Sequence, residues 1–223
     1  MRGVFHDAAM GLWKLDIMPE QPDFHFITGR AEHSSAPLLL LHGSGGDEAS
    51  LIPLADAIAP QRPYMALRGA IDWEGRFAFF RRNPDRSLDH ADLDRQTDRL
   101  CRFIAAAIEQ KRLAQPPVLL GFSNGAIMAA SILRRQPELA SAAILIRPLS
   151  PAPDADLASM PALPILITSG EYDQRRQTGD AELVRQQFAN AGADVSAHVL
   201  PTGHDLHHHE AEIIRDWLIR KGI

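Results

Sequence analysis

The sequence predicts an α/β fold, a doubly wound and mostly parallel sheet flanked by helices. Three observations carry that prediction. Short β-prone apolar runs alternate with segments of helical periodicity along the chain. Several of those runs are continuously apolar, as expected of strands covered by helices on both faces. The length, 223 residues with 45% hydrophobic and 23% charged, suits one domain with a substantial core. A single domain over 1–223 is therefore expected, with 1–22 as an N-terminal extension and 23–223 as the core.

The elements follow in order. Extended segments are expected at 23–28 and 37–41, the second holding four leucines that end at His42-Gly43. A helix over 48–59 follows the first glycine-rich loop, and a strand over 64–67 comes next. Residues 68–88 read as irregular, rich in aromatics and arginine. The longest helix is expected over 89–113, with Leu93, Thr97, Leu100, Ile104 and Ile108 at steps of three or four. A strand over 118–122 runs directly into a helix over 124–136, which stops before Pro137. A strand over 142–146 precedes a Pro/Ala/Asp-rich loop, 148–161. Strands over 164–168 and 196–200 each lead to a helix, 180–191 and 210–220.

Charge and cysteine content narrow the function. Lys plus Arg is 23 and Asp plus Glu 28, a net charge of −5, so no basic footprint for nucleic acid or an anionic membrane is expected. The single cysteine, Cys101, cannot form an internal disulfide and is expected to pack as a small apolar group. Residues 1–16 lack a long apolar run and include Asp7, Lys14 and Asp16, which argues against a signal peptide. The run 37–41 is far too short to cross a bilayer. A cytoplasmic protein without a membrane span is expected.

Gly121-Phe122-Ser123-Asn124-Gly125 fits G-x-S-x-G. It follows an apolar strand and opens a helical run, the strand–turn–helix setting a nucleophile elbow requires. The competing reading is an ordinary βα turn capped by Ser123 or Asn124. A serine hydroxyl is a weak nucleophile and needs a base and an orienting carboxylate. In that arrangement the chain order is Ser, then Asp or Glu, then His. Asp173 follows one late strand and His204 the next, so Asp173 is assigned as the orienting carboxylate and His204 as general base and acid. Glu171 and Asp180 compete with Asp173. His204, His207 and His208 resemble metal spacing, but no H-E-x-x-H arrangement is present, and a solvated helix start explains the histidine run better.

An oxyanion needs N–H donors. One is expected at the amide of Asn124, after the nucleophile, and the other at the Ser44 amide in Leu41-His42-Gly43-Ser44-Gly45-Gly46-Asp47. No G-x-x-x-x-G-K-[ST] occurs, and Glu48 breaks a G-x-G-x-x-G, so neither a phosphate loop nor a dinucleotide site is expected.

With these residues in place, the chain resembles the α/β-hydrolases, and within them the small carboxylesterase/phospholipase group that includes acyl-protein thioesterases. The matching pieces are the 41–47 loop, the elbow at 121–125, Gly170-Glu171-Tyr172-Asp173 and Gly203-His204. That group often has glutamine where this chain has Asn124; only the amide N–H is used, so the change costs little. The stretch 68–82 looks like a subgroup of small bacterial esterases sometimes linked to quinone or aromatic metabolism. Dienelactone hydrolases share the fold but typically carry cysteine where Ser123 stands.

The resemblance implies a serine esterase acting on small carboxylic esters, with no cofactor, no metal and no large lid, and it is compatible with a homodimer. A thioesterase or lysophospholipase, or a non-catalytic binding module, are the alternatives. Trp73, Phe77 and Phe79 either line a substrate pocket or pack their loop onto the domain. Arg81 and Arg82 read as solvated surface charges, with an anionic substrate as the alternative.

Overall fold

The computed structural model describes residues 23–30, 35–160 and 162–223; the expected extension at 1–22 and Pro161 of the expected loop lie outside the described residues. The four leucines of β2 (Leu38–Leu41) are all buried. Alternate side chains of a strand point to opposite faces. Leu39 and Leu41 accordingly join one hydrophobic cluster while Leu38 and Leu40 join another on the far side of the sheet.

Among the described residues that sheet has seven strands, in the spatial order 26–29, 64–67, 38–41, 118–122, 142–146, 164–170 and 194–200. They are β1 (Phe26–Gly29), β2, β3 (Tyr64–Leu67), β6 (Val118–Phe122), β7 (Ala142–Ile146), β8 (Pro164–Gly170) and β9 (Asp194–Leu200). Only β1 runs antiparallel to its neighbour. Among the described residues five helices flank it: α1 (Ile52–Ile58), α2 (His90–Glu109), α3 (Asn124–Arg135), α4 (Asp180–Asn190) and α5 (Glu210–Lys221). Side chains of α2, α3 and α4 supply one cluster, and those of α1 and α5 the other, with Trp217 fully buried.

Two expectations need correction. Residues 68–88 are not wholly irregular: β4 (Ile71–Trp73) and β5 (Arg76–Ala78) form a hairpin. Its two turn residues, Glu74 and Gly75, have φ of 51° and 76°. Positive φ at both central positions matches the tight hairpin turn whose twist suits its strands. The helix expected from residue 48 begins only at Ile52, with Pro53 in its first turn. Glu48 is held in the preceding loop by a two-pronged pair with Arg68. The Arg68 guanidinium pulls the Glu48 carboxyl down to about 2.

Because β2, β6, β7, β8 and β9 are parallel, their C-terminal ends lie at one edge of the sheet. The segments after β2, β6, β8 and β9 carry Ser44, Ser123, Asp173 and His204. Ligand sites of open parallel sheets form outside these strand ends.

Candidate active site

Ser123 sits between β6 and α3 with φ 51° and ψ −106°. That left-handed conformation is costly for a residue with a side chain and persists only where its surroundings enforce it. Close packing of the turn enforces it here. A side chain at Gly125 would collide with the backbone of Leu41, and one at Gly121 would meet the Gly125 carbonyl at 2.5 Å. The Ser123 amide donates to the Ile146 carbonyl of β7 at 2.9 Å, which pins the turn to the neighbouring strand.

The structure brings Ser123, His204 and Asp173 together. His204 Nε2 lies 2.8 Å from Ser123 Oγ, and His204 Nδ1 lies 2.8 Å from Asp173 Oδ2. The Asp173 and His204 side chains are only 2% and 9% exposed. Asp173 Oδ1 also accepts from the Arg175 amide at 2.8 Å, so both oxygens are held. The competing carboxylates are elsewhere: Glu171 is exposed beside Tyr172, and Asp180, the first residue of α4, turns back to accept from the Gln177 amide in the preceding loop. Burial pushes the His204 imidazole below its ordinary 6.5, against the upward pull of Asp173. A neutral imidazole at pH 7 can accept a proton.

Gly43 and Ser44 border the same cavity as Ser123. Their loop is braced by His42, which is 1% exposed. His42 Nε2 accepts from the Gly69 amide at 2.9 Å, so its Nδ1 carries the proton donated to the Gly43 carbonyl at 2.7 Å. Asn124 has a role beyond its amide. Its side-chain oxygen accepts from the Phe79 amide at 2.8 Å, and its Nδ2 donates to the Phe80 carbonyl at 3.3 Å. The elbow is thereby tied to the segment following the hairpin.

The three aromatics separate. Trp73, at the hairpin tip, lines the cavity of about 380 Å³ in front of Ser123. Phe77 and Phe79 do not, which corrects their expected place in a substrate pocket. Phe77 lies beneath Arg68, and its backbone carbonyl accepts from the Gly45 amide at 2.9 Å. Phe79 is 2% exposed and packs on the His42 ring. Arg82 also departs from expectation: it is half-buried and lines the cavity, whereas Arg81 is exposed.

Sequence reasoning missed two arginines. Arg147 and Glu210, with side chains 0% and 1% exposed, form a buried two-pronged pair at 2.7 and 2.9 Å. Arg147 also donates to the Asp205 carbonyl, next to His204, and Glu210 accepts from the His207 amide. Arg176 donates from Nη2 to Ser123 Oγ at 3.3 Å and to the Arg147 carbonyl at 2.7 Å. Neither lies in a motif; the Glu210 partner of Arg147 is 63 residues away in sequence, and the Ser123 and Arg147 partners of Arg176 are 53 and 29 away.

Cys101, the one cysteine, is buried in the core, and burial pushes its thiol up to about 12. It is far from a reactive thiolate. His207, His208 and His209 lie with their rings in tilted contact just before α5.

A strained serine after a central parallel strand, followed in the chain by a carboxylate and a histidine from later strand ends, defines the α/β-hydrolase class. Within that class, residues 23–220 match the phospholipase/carboxylesterase family, and the chain belongs to it. It is 35% identical over 181 residues to the Bacillus subtilis protein named "Putative hydrolase MhqD", covering 81% of this chain and 90% of that one. The structure of the Bacillus cereus carboxylesterase is similar with a TM-score of 0.84 and 30% identity, over 88% of this chain and 94% of that one. A carboxylesterase from Mesorhizobium loti is similar with a TM-score of 0.73 and 31% identity, over 82% and 88%. Family and neighbours support an enzyme of the hydrolase, esterase type. Among the described residues no helix is long and apolar enough to cross a membrane.

Proposed function

We propose that this protein is a serine hydrolase of small carboxylic esters, with Ser123 as nucleophile, His204 as general base and acid, and Asp173 as the orienting carboxylate. The observation that carries the reading is the unbroken run of two 2.8 Å contacts, from Ser123 Oγ through the imidazole to Asp173 Oδ2. In the tautomer this needs, Nδ1–H donates to Asp173 and Nε2 accepts the serine proton.

Ser123 Oγ attacks the ester carbonyl carbon as its proton passes to His204 Nε2. The carbonyl oxygen becomes an oxyanion, which the Ser44 and Asn124 amides are proposed to hold. Collapse breaks the bond to the leaving oxygen, which takes the proton from His204. Water, deprotonated by His204, then attacks the acyl-enzyme and releases the acid and Ser123. A cavity of about 380 Å³ is near the lower end for small-molecule sites, which favours short acyl groups over long chains.

The test is hydrolysis of p-nitrophenyl acetate, butyrate and octanoate by the wild type beside Ser123→Ala. Activity on the two short esters that disappears in the variant is expected. Equal rates from both proteins would overturn the assignment of Ser123.

A further inference from the structure

The cavity in front of Ser123 is lined by four arginines, Arg82, Arg86, Arg175 and Arg176, and one carboxylate, Glu74, at the exposed hairpin turn. Elsewhere among the described residues, eight of fifteen arginines are matched by a carboxylate. Arg30, Arg68, Arg76, Arg95, Arg134, Arg135, Arg147 and Arg185 each sit within ion-pair distance of a carboxylate. Among the described residues no such pair is made by the four that face the cavity.

Two of the four are half-buried, where an unmatched charge is costly. Arg176 spends its donors on backbone carbonyls of Arg147, Pro148 and Arg175 and on Ser123 Oγ. Arg82 donates to the Arg86 carbonyl at 2.9 Å and lies over the Phe80 ring. Burial and the neighbouring Arg176 charge bring the Arg82 guanidinium down to about 10. Asp173 and Asp180 are the carboxylates near Arg176, and both have other hydrogen-bond partners. Positive charge is thus concentrated and partly desolvated, with no ion pair among the described residues, in the cavity that borders Ser123.

We propose that these arginines form an anion subsite, and that the substrate is a short ester carrying a carboxylate a few bonds from the scissile carbonyl. This rests on the esterase reading given above. Geometry sets the spacing. Arg176 Nη2 is 3.3 Å from Ser123 Oγ, the atom that bonds to the carbonyl carbon. Guanidinium–carboxylate contacts are about 2.7–2.9 Å long and often two-pronged. A carboxylate held between Arg176 and Arg82 is therefore close to the reacting carbon. On binding it takes over the N–H that Arg176 gives to Ser123 Oγ, and frees that lone pair for attack.

The experiment compares kcat/KM for three esters of similar size by pH-stat. Methyl butyrate is neutral, monomethyl succinate has a carboxylate on the acyl side, and O-acetylglycolate has one on the alcohol side. Wild type, Arg82→Gln and Arg176→Gln are measured, with succinate binding to each by calorimetry. A charged hydrogen bond of ordinary strength corresponds to a roughly 10- to 100-fold effect. At least one anionic ester is expected to exceed methyl butyrate tenfold in the wild type. That ratio should fall tenfold or more in Arg82→Gln, and succinate binding should weaken in parallel.

An active wild type with no preference for either anionic ester would overturn the subsite and leave the esterase reading intact. So would an unchanged ratio in both variants, with Arg176→Gln slowing all three esters equally, because Arg176 would then serve the chemistry alone. If no ester is cleaved while succinate binds the wild type and not Arg82→Gln, the subsite stands and the esterase reading falls. Neither cleavage nor succinate binding would overturn both.

Discussion

Arginine does opposite things on the two sides of the Ser123–His204 contact. Behind it, Arg147 is sealed from water against Glu210, with Thr168, Asp205 and His207 completing the network. In front of it, Arg82 and Arg176 face a cavity and, among the described residues, donate hydrogen bonds to neutral acceptors alone. A sealed pair spends its charge internally and fixes where the β9–α5 loop, and hence His204, must lie. An unpaired arginine keeps its charge for something that arrives. The two regions meet at residue 147, whose side chain serves the sealed network while its carbonyl accepts from Arg176.

The residues between the two regions should be the most sensitive. Asp173→Asn keeps the shape but favours the wrong imidazole tautomer, so ester turnover should drop by about 10⁴. Steady-state kinetics beside a thermal melt checks this, and a melt close to wild type is expected. Next comes the sealed side. Arg147→Met leaves Glu210 buried without its partner and should cost about 3–5 kcal/mol in denaturant unfolding. Arg147→Met with Glu210→Leu should recover much of that, because no charge is then stranded.

The open side should behave in the opposite way. Arg82→Gln should change unfolding free energy by about 0.5 kcal/mol or less, since no ion pair is lost. A large destabilisation there would erase the contrast between the regions.

Titration gives two smaller effects. Burial lowers the His204 pKa, so the reactive neutral form persists below 6.5. The acid limb of kcat/KM is therefore expected under 6.5, in a pH–rate profile of a neutral ester. Glu48 ionises at about 2 in the folded protein against an ordinary 4.5, because Arg68 stabilises its charged form. Its depressed value means stability that is present above 4.5 and lost as pH falls towards 2. Glu48→Gln should flatten the acid side of a plot of melting temperature against pH.

What the sequence made legible depended on the range of the signal. Ser123 lies in a five-residue pattern with its strand and helix on either side, and Asp173 and His204 follow apolar strands that announce themselves. Those positions were readable because the α/β order of elements puts all strand ends at one edge. The β4–β5 hairpin was not readable. Its strands are three residues each, and Glu74 is a poor advertisement for a positive φ beside Gly75. Glu48 was read into a helix because nothing local reveals Arg68, 20 residues on. The same holds for the arginines: Arg147 and Glu210 are 63 residues apart, and Arg176 and Ser123 are 53 apart. Residue type says that an arginine is charged; only the fold says whether that charge is already answered. Phe77 and Phe79 teach the converse: aromatic content near a site left pocket lining and loop packing equally open for Trp73, Phe77 and Phe79, and of these three Trp73 alone borders the cavity.

The most direct measurement is labelling with a fluorophosphonate followed by intact mass and peptide mapping of the wild type and Ser123→Ala. The account predicts one adduct per chain, on Ser123, and none on the variant. A wild type that takes up no label, or a label on another residue that survives in Ser123→Ala, would contradict it.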